Sequence, residues 1–496
     1  MMGCLTLPLL IPLLTAIATL FARRARGVQR ALSAAGAAGL LAAGVFLLRA
    51  TLVNGIQGVQ VGGWPAPFGI TLAADVLAAG MVLLAGLTGA LGMLYSLGDI
   101  DARRERAGYH TLYHLMLLGV CGAFVAGDLF NLYVWFEVML VASFALLSLG
   151  GEPAQIEGAM KYVSLSLISS ALFLSGLGLF YGLFGTLNMA HAAVVLRSLP
   201  PGKASVVSMV LLVAFGIKAA LFPLYFWLPA SYPAPPVPVA AVLAGLLSKV
   251  GVYAIVRTFT LLFVGDGTSR RGLFLVAAGL TMVSGVLGAV SQGDMRRILA
   301  FHSVSQMGYM MMGLGLSSRL ALAGTALFLA HHNVVKTALF LVAGIAGRRA
   351  GTYSLSGIGG IYRGSPVLAA LFLIPALSLA GVPPLSGFWA KLLLVSAGLS
   401  AGQGAIVAAA LMVSLLTLLS MTKIWNEAFW SEPPEGADIA PEEPPGALRL
   451  APAIVLAVVT VAMGIFAEPV IEVALRAADE LLSPEGYVQA VLGRGL

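Results

Sequence analysis

The feature that most limits this chain is a near-unbroken succession of apolar runs, each about as long as the ~20 residues a helix needs to cross a bilayer. They lie near 3–21, 31–49, 72–97, 110–127, 129–149, 161–184, 205–228, 237–260, 272–291, 297–316, 319–346, 366–398, 404–426 and 450–470, fourteen in all. In lipid every backbone polar group must be satisfied within the structure, and for runs of this length that means helices. With 59% hydrophobic and 10% charged residues, nothing between the runs is large enough for a soluble domain. The expected fold is an all-α polytopic membrane protein of about 14 transmembrane helices, one integral-membrane domain over 1–496.

The cationic side chains sort by side. Loops after odd-numbered runs hold Arg23, Arg24, Arg26, Arg30, Arg103, Arg104, Arg106, Lys161, Arg296, Arg297, Arg348, Arg349, Arg363, Lys423 and Arg449, fifteen in all. Even-numbered loops and the tail hold nine: Arg49, Arg197, Lys203, Arg257, Arg270, Arg271, Arg319, Arg476 and Arg494. The positive-inside rule then puts odd loops in the cytoplasm and both termini outside the cell membrane. It also accounts for the net charge of +7 without nucleic acid, because the arginines form short clusters and no stripe with interleaved aromatics. The N-terminal run lacks a basic leader and a small-residue cleavage site, and reads as an uncleaved helix. Cys4 and Cys121 have neither metal-site nor disulfide spacing. Ser431 to Pro445 is acidic and Pro-rich, a surface loop. The tail after Glu468 reads as a short amphipathic helix on the outer surface, solvated in the simpler reading and partner-bound in the other.

Four cations belong to neither side: Lys218, Lys249, Lys336 and Lys391 lie inside apolar runs. A charge at bilayer depth costs at least ~2.5 to 3.5 kcal/mol, so such residues usually face a protein interior and mark ion routes. The residue type is informative. The chain has 21 arginines and seven lysines, yet all four mid-run cations are lysine, the one of the two that can release its proton in a protein. Glu137, about two turns into the fifth run among aromatics, needs a proton or a cation, and pairing with Lys218 is expected. His332 and Lys336 are spaced i,i+4 and share a helix face, suiting a proton relay; His331 points about 100° away. No third or fourth ligand accompanies the histidines, so no metal site is expected. Lys161 follows Glu157 by four residues, as a local ion pair or as a proton-entry contact. Asp128 reads as a helix N-cap. Asp75, His110, His114 and His302 receive no role. No phosphate-binding loop, nucleophile elbow or cofactor fingerprint occurs, so neither cofactor nor covalent chemistry is expected.

Two runs are interrupted. Pro223 falls five residues after Lys218, and Pro383 and Pro384 fall between Gly381 and Gly387, about two turns before Lys391. Proline removes a backbone donor and frees a carbonyl, so each break is expected to place a lysine beside a freed carbonyl. Broken helices in corresponding halves of a chain point to repeats around a midplane ion site.

FNLYVWFEVML, FPLYFWLPASYPAPPVPVAAVLAGLLSKVGVYAIVRTFTLLF, HSVSQMGYMMMG, HHNVVKTALFLVAG and GVPPLSGFWAKLLL resemble the proton-conducting antiporter-like subunits shared by Mrp-type cation/proton antiporters and respiratory complex I. SYPAPP and the Lys249 helix after it are most similar to the D-type subunits of the Mrp antiporters. The likeness runs from about 70 to 430. It implies fourteen helices with two inverted five-helix repeats, at 110–260 and 272–426, flanked by helices in 1–109 and 450–496, with the seventh and twelfth helices broken. It also implies a proton route through Glu137, Lys218, Lys249, His331, His332, Lys336 and Lys391. Partner membrane subunits would complete a complex exchanging Na+ or another monovalent cation for protons. A redox-driven pump of the complex I or membrane-bound hydrogenase kind needs the same relay and stays as the alternative.

Overall fold

The computed structural model describes residues 2–198, 200, 202–264, 267–432 and 446–493. The chain runs through α1 (Met2–Phe21), α2 (Arg26–Asn54), α3 (Val76–Leu97), α4 (Ala102–Arg106), α5 (Tyr109–Val125), α6 (Leu129–Ser148), α7 (Pro153–Phe184), α8 (Met189–Arg197), α9 (Ser205–Lys218), α10 (Trp227–Ser231) and α11 (Val237–Leu261). It continues through α12 (Gly267–Val290), α13 (Met295–Leu316), α14 (Arg319–Ala350), α15 (Ile361–Gly364), α16 (Pro366–Ala380), α17 (Ser386–Ser400), α18 (Gly404–Ile424), α19 (Ala447–Ile465), α20 (Ala467–Leu482) and α21 (Pro484–Leu492). Ten helical segments among the described residues are long and apolar enough to cross a membrane, while α5, α9 and α16 are apolar but shorter.

Three departures from the sequence reading have local causes. The third run does not start as a helix: Thr71–Ala74 (β2) pairs antiparallel with Gln57–Gln60 (β1), and Asp75 then caps α3 by accepting from Ala78 N at 2.9 Å. The tail is not a solvated helix. Its face of Ala474, Ala477, Ala478 and Leu481 is buried, and Glu480 accepts from Val76 N at 2.7 Å. Arg257, assigned to an outer loop, is buried on α11 and paired with Asp75 at 2.6 Å. Most of the acidic loop expected over 431–445 lies outside the described residues.

The two halves of the bundle share one fastening. Asp128 caps α6 through Asn131 N at 2.6 Å, as the sequence suggested, and Asp294 caps α13 through Arg297 N at 2.9 Å. Each follows a glycine, and each cap is locked by two backbone bonds to the chain beyond the next long helix. Leu129 N donates to Leu187 O and Met189 N to Gly127 O; Met295 N donates to Tyr353 O and Leu355 N to Gly293 O. The fastenings sit at opposite ends of the bundle. Asp128 also accepts from Thr71 N beside the start of α3, whereas Arg348, at the end of α14, pairs with Asp99 beyond the end of α3.

The centre is α11 and α14. Every residue in the apolar window of α11 and 89% of that in α14 are buried, against 33% for α2 and α19. A helix apolar all round belongs inside, and these two carry Lys249, His331, His332 and Lys336.

Candidate functional site

At the first break α9 stops at Lys218, and Ala220 takes a left-handed conformation with φ +54°. Trp227, on α10, donates its indole Nε1–H to Ile217 O at 2.8 Å, and Phe222 N donates to Thr281 Oγ1 at 3.0 Å. The last turn of α9 is thus satisfied without the lysine. Lys218 is 4% exposed and its Nζ makes no hydrogen bond. Glu137 faces the same region from α6, near enough for its charge to act on Lys218, but it accepts a hydrogen bond from Ser170 Oγ on α7. The direct Glu137–Lys218 contact expected from the sequence is not formed, because the serine holds the carboxylate toward α7.

At the second break α16 ends at Ala380 and Gly381 has φ +93°. Lys391 sits in the second turn of α17 and reaches back across the gap. Its Nζ donates to Leu379 O at 2.9 Å, to Ala380 O at 2.9 Å and to Ser414 Oγ at 2.8 Å, and it lies 5.0 Å from the centre of the Tyr309 ring. Gly381 is needed twice over: its φ favours glycine, and a Cβ there would come within 2.8 Å of Lys391 Cδ. A lysine beside freed carbonyls was expected at both breaks and is found at this one.

Between the breaks, Lys249 Nζ donates to Ala244 O and Lys336 Nζ to Leu299 O at 2.8 Å. Both lysines are fully buried, as are His331 and His332. His331 is the histidine that touches the second break: its Nδ1 lies 2.9 Å from Ser386 Oγ, which is 3.0 Å from Ser378 Oγ. Neither ring nitrogen of His332 has a hydrogen-bond partner, nor does His331 Nε2 or Ser248 Oγ. Buried polar groups left in this state are the ones ordered water satisfies. Among the described residues none of the four buried lysines forms an ion pair with a carboxylate. Lys161 lies apart from this line, exposed and paired with Glu157.

The sequence reading passed over the buried ion pair Asp75–Arg257, flanked by the rings of Tyr253 and Tyr487. The available signal was spacing: Lys249, Tyr253 and Arg257 are i, i+4, i+8 on α11, one face of the helix. At the other end of the bundle Glu105 is clamped by Arg26 and Arg30; burial pushes its carboxyl up, but the two guanidiniums outweigh it and hold it below the usual range. Among the described residues no three His, Cys, Asp or Glu side chains converge as a metal cage.

Broken helices that enclose buried ionisable side chains are the build of membrane ion-translocating proteins. The chain belongs to the NADH:quinone oxidoreductase/Mrp antiporter membrane family, whose model matches residues 126–417. It is 45% identical over 487 residues to the D-type subunit of the Na(+)/H(+) antiporter of Alkalihalophilus pseudofirmus, covering 98% of each chain. It is 36% identical to the N-type subunit of the NADH-quinone oxidoreductase of Desulforudis audaxviator, covering 93% of this chain and 95% of that one. A chain of the solved Mrp complex from a Dietzia species superposes with a TM-score of 0.91 at 34% identity, covering 99% of this chain and all of the other.

Proposed function

We propose that this chain is the proton-carrying subunit of a multisubunit Na+/H+ antiporter in the cell membrane, working with other membrane subunits and relaying protons along buried side chains. The observation that carries the reading is the set of four buried lysines without carboxylate partners. A lysine kept for structure inside a membrane would be expected to pair; one kept for transport must be free to give its proton up. The relatives named as D-type Na(+)/H(+) antiporter subunits and as part of an Mrp complex support the exchange reaction and the partners.

In this reading the proton passes from Glu137 to Lys218, Lys249, His332 and Lys336, and reaches Lys391 through His331 and the serines of the second break. Lys218, Lys249 and Lys336 are each held by at most one acceptor, and each ammonium hands its proton on as it becomes an amine. Ser170 sets how far Glu137 can approach Lys218. Lys161 stands at the surface as the proton-entry contact. Joining α9 with α10 and α16 with α17 as single broken crossings, and taking α5 and α13 as two more beside the ten long segments, gives fourteen crossings with both termini outside. The paired Gly–Asp fastenings support two inverted repeats at 110–260 and 272–426, flanked by 1–109 and 450–496.

The test is cation-driven pH change in inverted vesicles carrying the whole complex, with Na+, K+ and Li+ compared. A sodium response that Glu137→Gln abolishes is expected. Full activity in that variant would remove Glu137 from the route. A second reading, a proton-pumping subunit of a redox-driven complex, draws on the likeness to the NADH-quinone oxidoreductase chain. It predicts no response to any cation and proton movement on addition of an electron donor.

A further inference from the structure

Neither α13 nor α18 carries a residue of the relay proposed for this chain, yet the interface between them is polar along its length. On α13, Leu299, His302, Gln306 and Tyr309 follow helical spacing down one stripe. The stripe begins under one relay lysine and ends against another: Lys336 Nζ donates to Leu299 O at 2.8 Å, and the Lys391 ammonium lies 5.0 Å from the Tyr309 ring. On α18, Ser420 Oγ sits 2.5 Å from His302 Nε2. One end of the same interface is closed by Ser414, 3.1 Å from Tyr309 Oη and itself the acceptor of the 2.8 Å bond from Lys391. The antiparallel register of these pairs places Thr417 level with Gln306. His302, Gln306 and Thr417 are fully buried, and Tyr309 and Ser420 are 1% exposed.

Three polar atoms of this stripe have no protein partner: His302 Nδ1 and both amide atoms of Gln306. A histidine present only to tie α13 to α18 needs just the nitrogen that meets Ser420. Its second nitrogen and a neighbouring free amide, all in a dry interface, would then be uncompensated burial that an apolar side chain avoids. The charged and titratable groups acting on His302 are Lys336, Lys391 and His332, all members of the proposed relay.

We infer that His302 carries protons between Lys336 and Lys391, with Gln306, Ser420 and Ser414 forming a second branch beside the one through His331 and Ser386. The inference rests on the relay reading. The step conserves charge: as Lys336 becomes an amine, the His302 imidazole takes a proton at one nitrogen and releases one from the other. The Ser420 and Ser414 hydroxyls accept and donate in turn while the Gln306 amide lines the path with hydrogen-bonding groups, and Lys391 becomes the ammonium. Positive charge moves and none accumulates on the imidazole.

The experiment uses the whole complex in inverted vesicles, comparing wild type with His302→Gln, His331→Gln, the double variant and Lys391→Met. His302→Gln keeps a polar group toward Ser420 but cannot be protonated. Expected is normal assembly with sodium-driven proton movement lowered about tenfold, and about hundredfold in the double variant, the order of loss when a positioned proton carrier is removed. The pH profile of exchange is also expected to change shape in His302→Gln, which a purely structural histidine would not cause. A wild-type rate and unchanged profile in His302→Gln, with Lys391→Met inactive, overturns the branch and leaves the relay standing. Activity in Lys391→Met overturns the relay itself. Should His302→Gln fail to assemble, Ser420→Ala decides: slowed exchange supports the branch and a wild-type rate overturns it.

Discussion

The two broken helices solve one electrostatic problem in different ways. Each sets a lysine ammonium at the C-terminal end of a half-helix, where the exposed carbonyls favour a cation. Lys218 is itself the last residue of α9, but Trp227 takes the Ile217 carbonyl and the ammonium has no hydrogen bond. Lys391 lies beyond its break and reaches back to Leu379, Ala380 and Ser414, so its ammonium is fully held. The backbones differ in the same sense. Glycine makes the second turn at Gly381, whereas Ala220 takes the left-handed conformation at the first. The first break is therefore strained and under-bonded, and the second is relaxed and saturated. In the proposed relay a proton would leave the first lysine with no hydrogen bond to break, whereas the second ammonium would have three to give up.

The largest expected effect separates the two lysines by stability as well as transport. Lys218→Met and Lys391→Met should both stop proton movement. Only Lys391→Met should lower the thermal stability of the purified complex, by about 1 to 3 kcal/mol for the acceptors left unpaired; Lys218→Met should be neutral or stabilising, since it removes a buried charge with no bonds. Equal stability losses would erase the contrast.

The backbone half of the comparison is open to a reciprocal pair. Ala220→Gly should raise stability by about 1 kcal/mol by relieving left-handed strain. Gly381→Ala should lower it by at least as much and slow exchange, because the new methyl group meets the Lys391 stem. A stabilising Gly381→Ala would show that the second turn is not relaxed.

The smallest effect serves as a control away from both breaks. Burial, with the charge of Asp75 adding to it, raises the Glu480 carboxyl to about 7, against the pull of Val76 N–H, Arg476 and Arg257. A carboxyl whose value is raised on docking stabilises the docked tail fully below the ordinary carboxylate range, and that contribution is lost as pH rises through about 7. The protection of the α20 amides, with the intrinsic base-catalysed rise in exchange divided out, should accordingly fall between pH 5 and 8. Glu480→Gln should flatten that dependence, and both breaks should be indifferent to it.

Much of the fold was legible in the sequence. Apolar run length located nearly every long helix, and proline and glycine located both breaks, because both signals are local properties of the backbone and its solvent. Spacing placed His332 and Lys336 on one face for the same reason. The strand at 71–74 was missed because a short apolar strand running into a helix has no periodicity of its own. The tail was read as solvated because its small alanine face is weakly apolar, and the groove that receives it is made by α3 and α14.

By itself the sequence determined that the chain lives in a bilayer and that four lysines, the cation type that can release a proton in a protein, lie inside its apolar runs. Those outcomes depend on composition and on spacing within one helix. Tertiary structure alone decided which hydrogen-bond partner each trapped group meets: Ser170 for Glu137, none for Lys218, the carbonyls of α16 for Lys391, and Ser420 for His302 across 118 residues of chain. A hydrogen bond forms only within about 3 Å and along a narrow range of angles. That precision comes from how separate helices dock, which no pattern within a single helix contains.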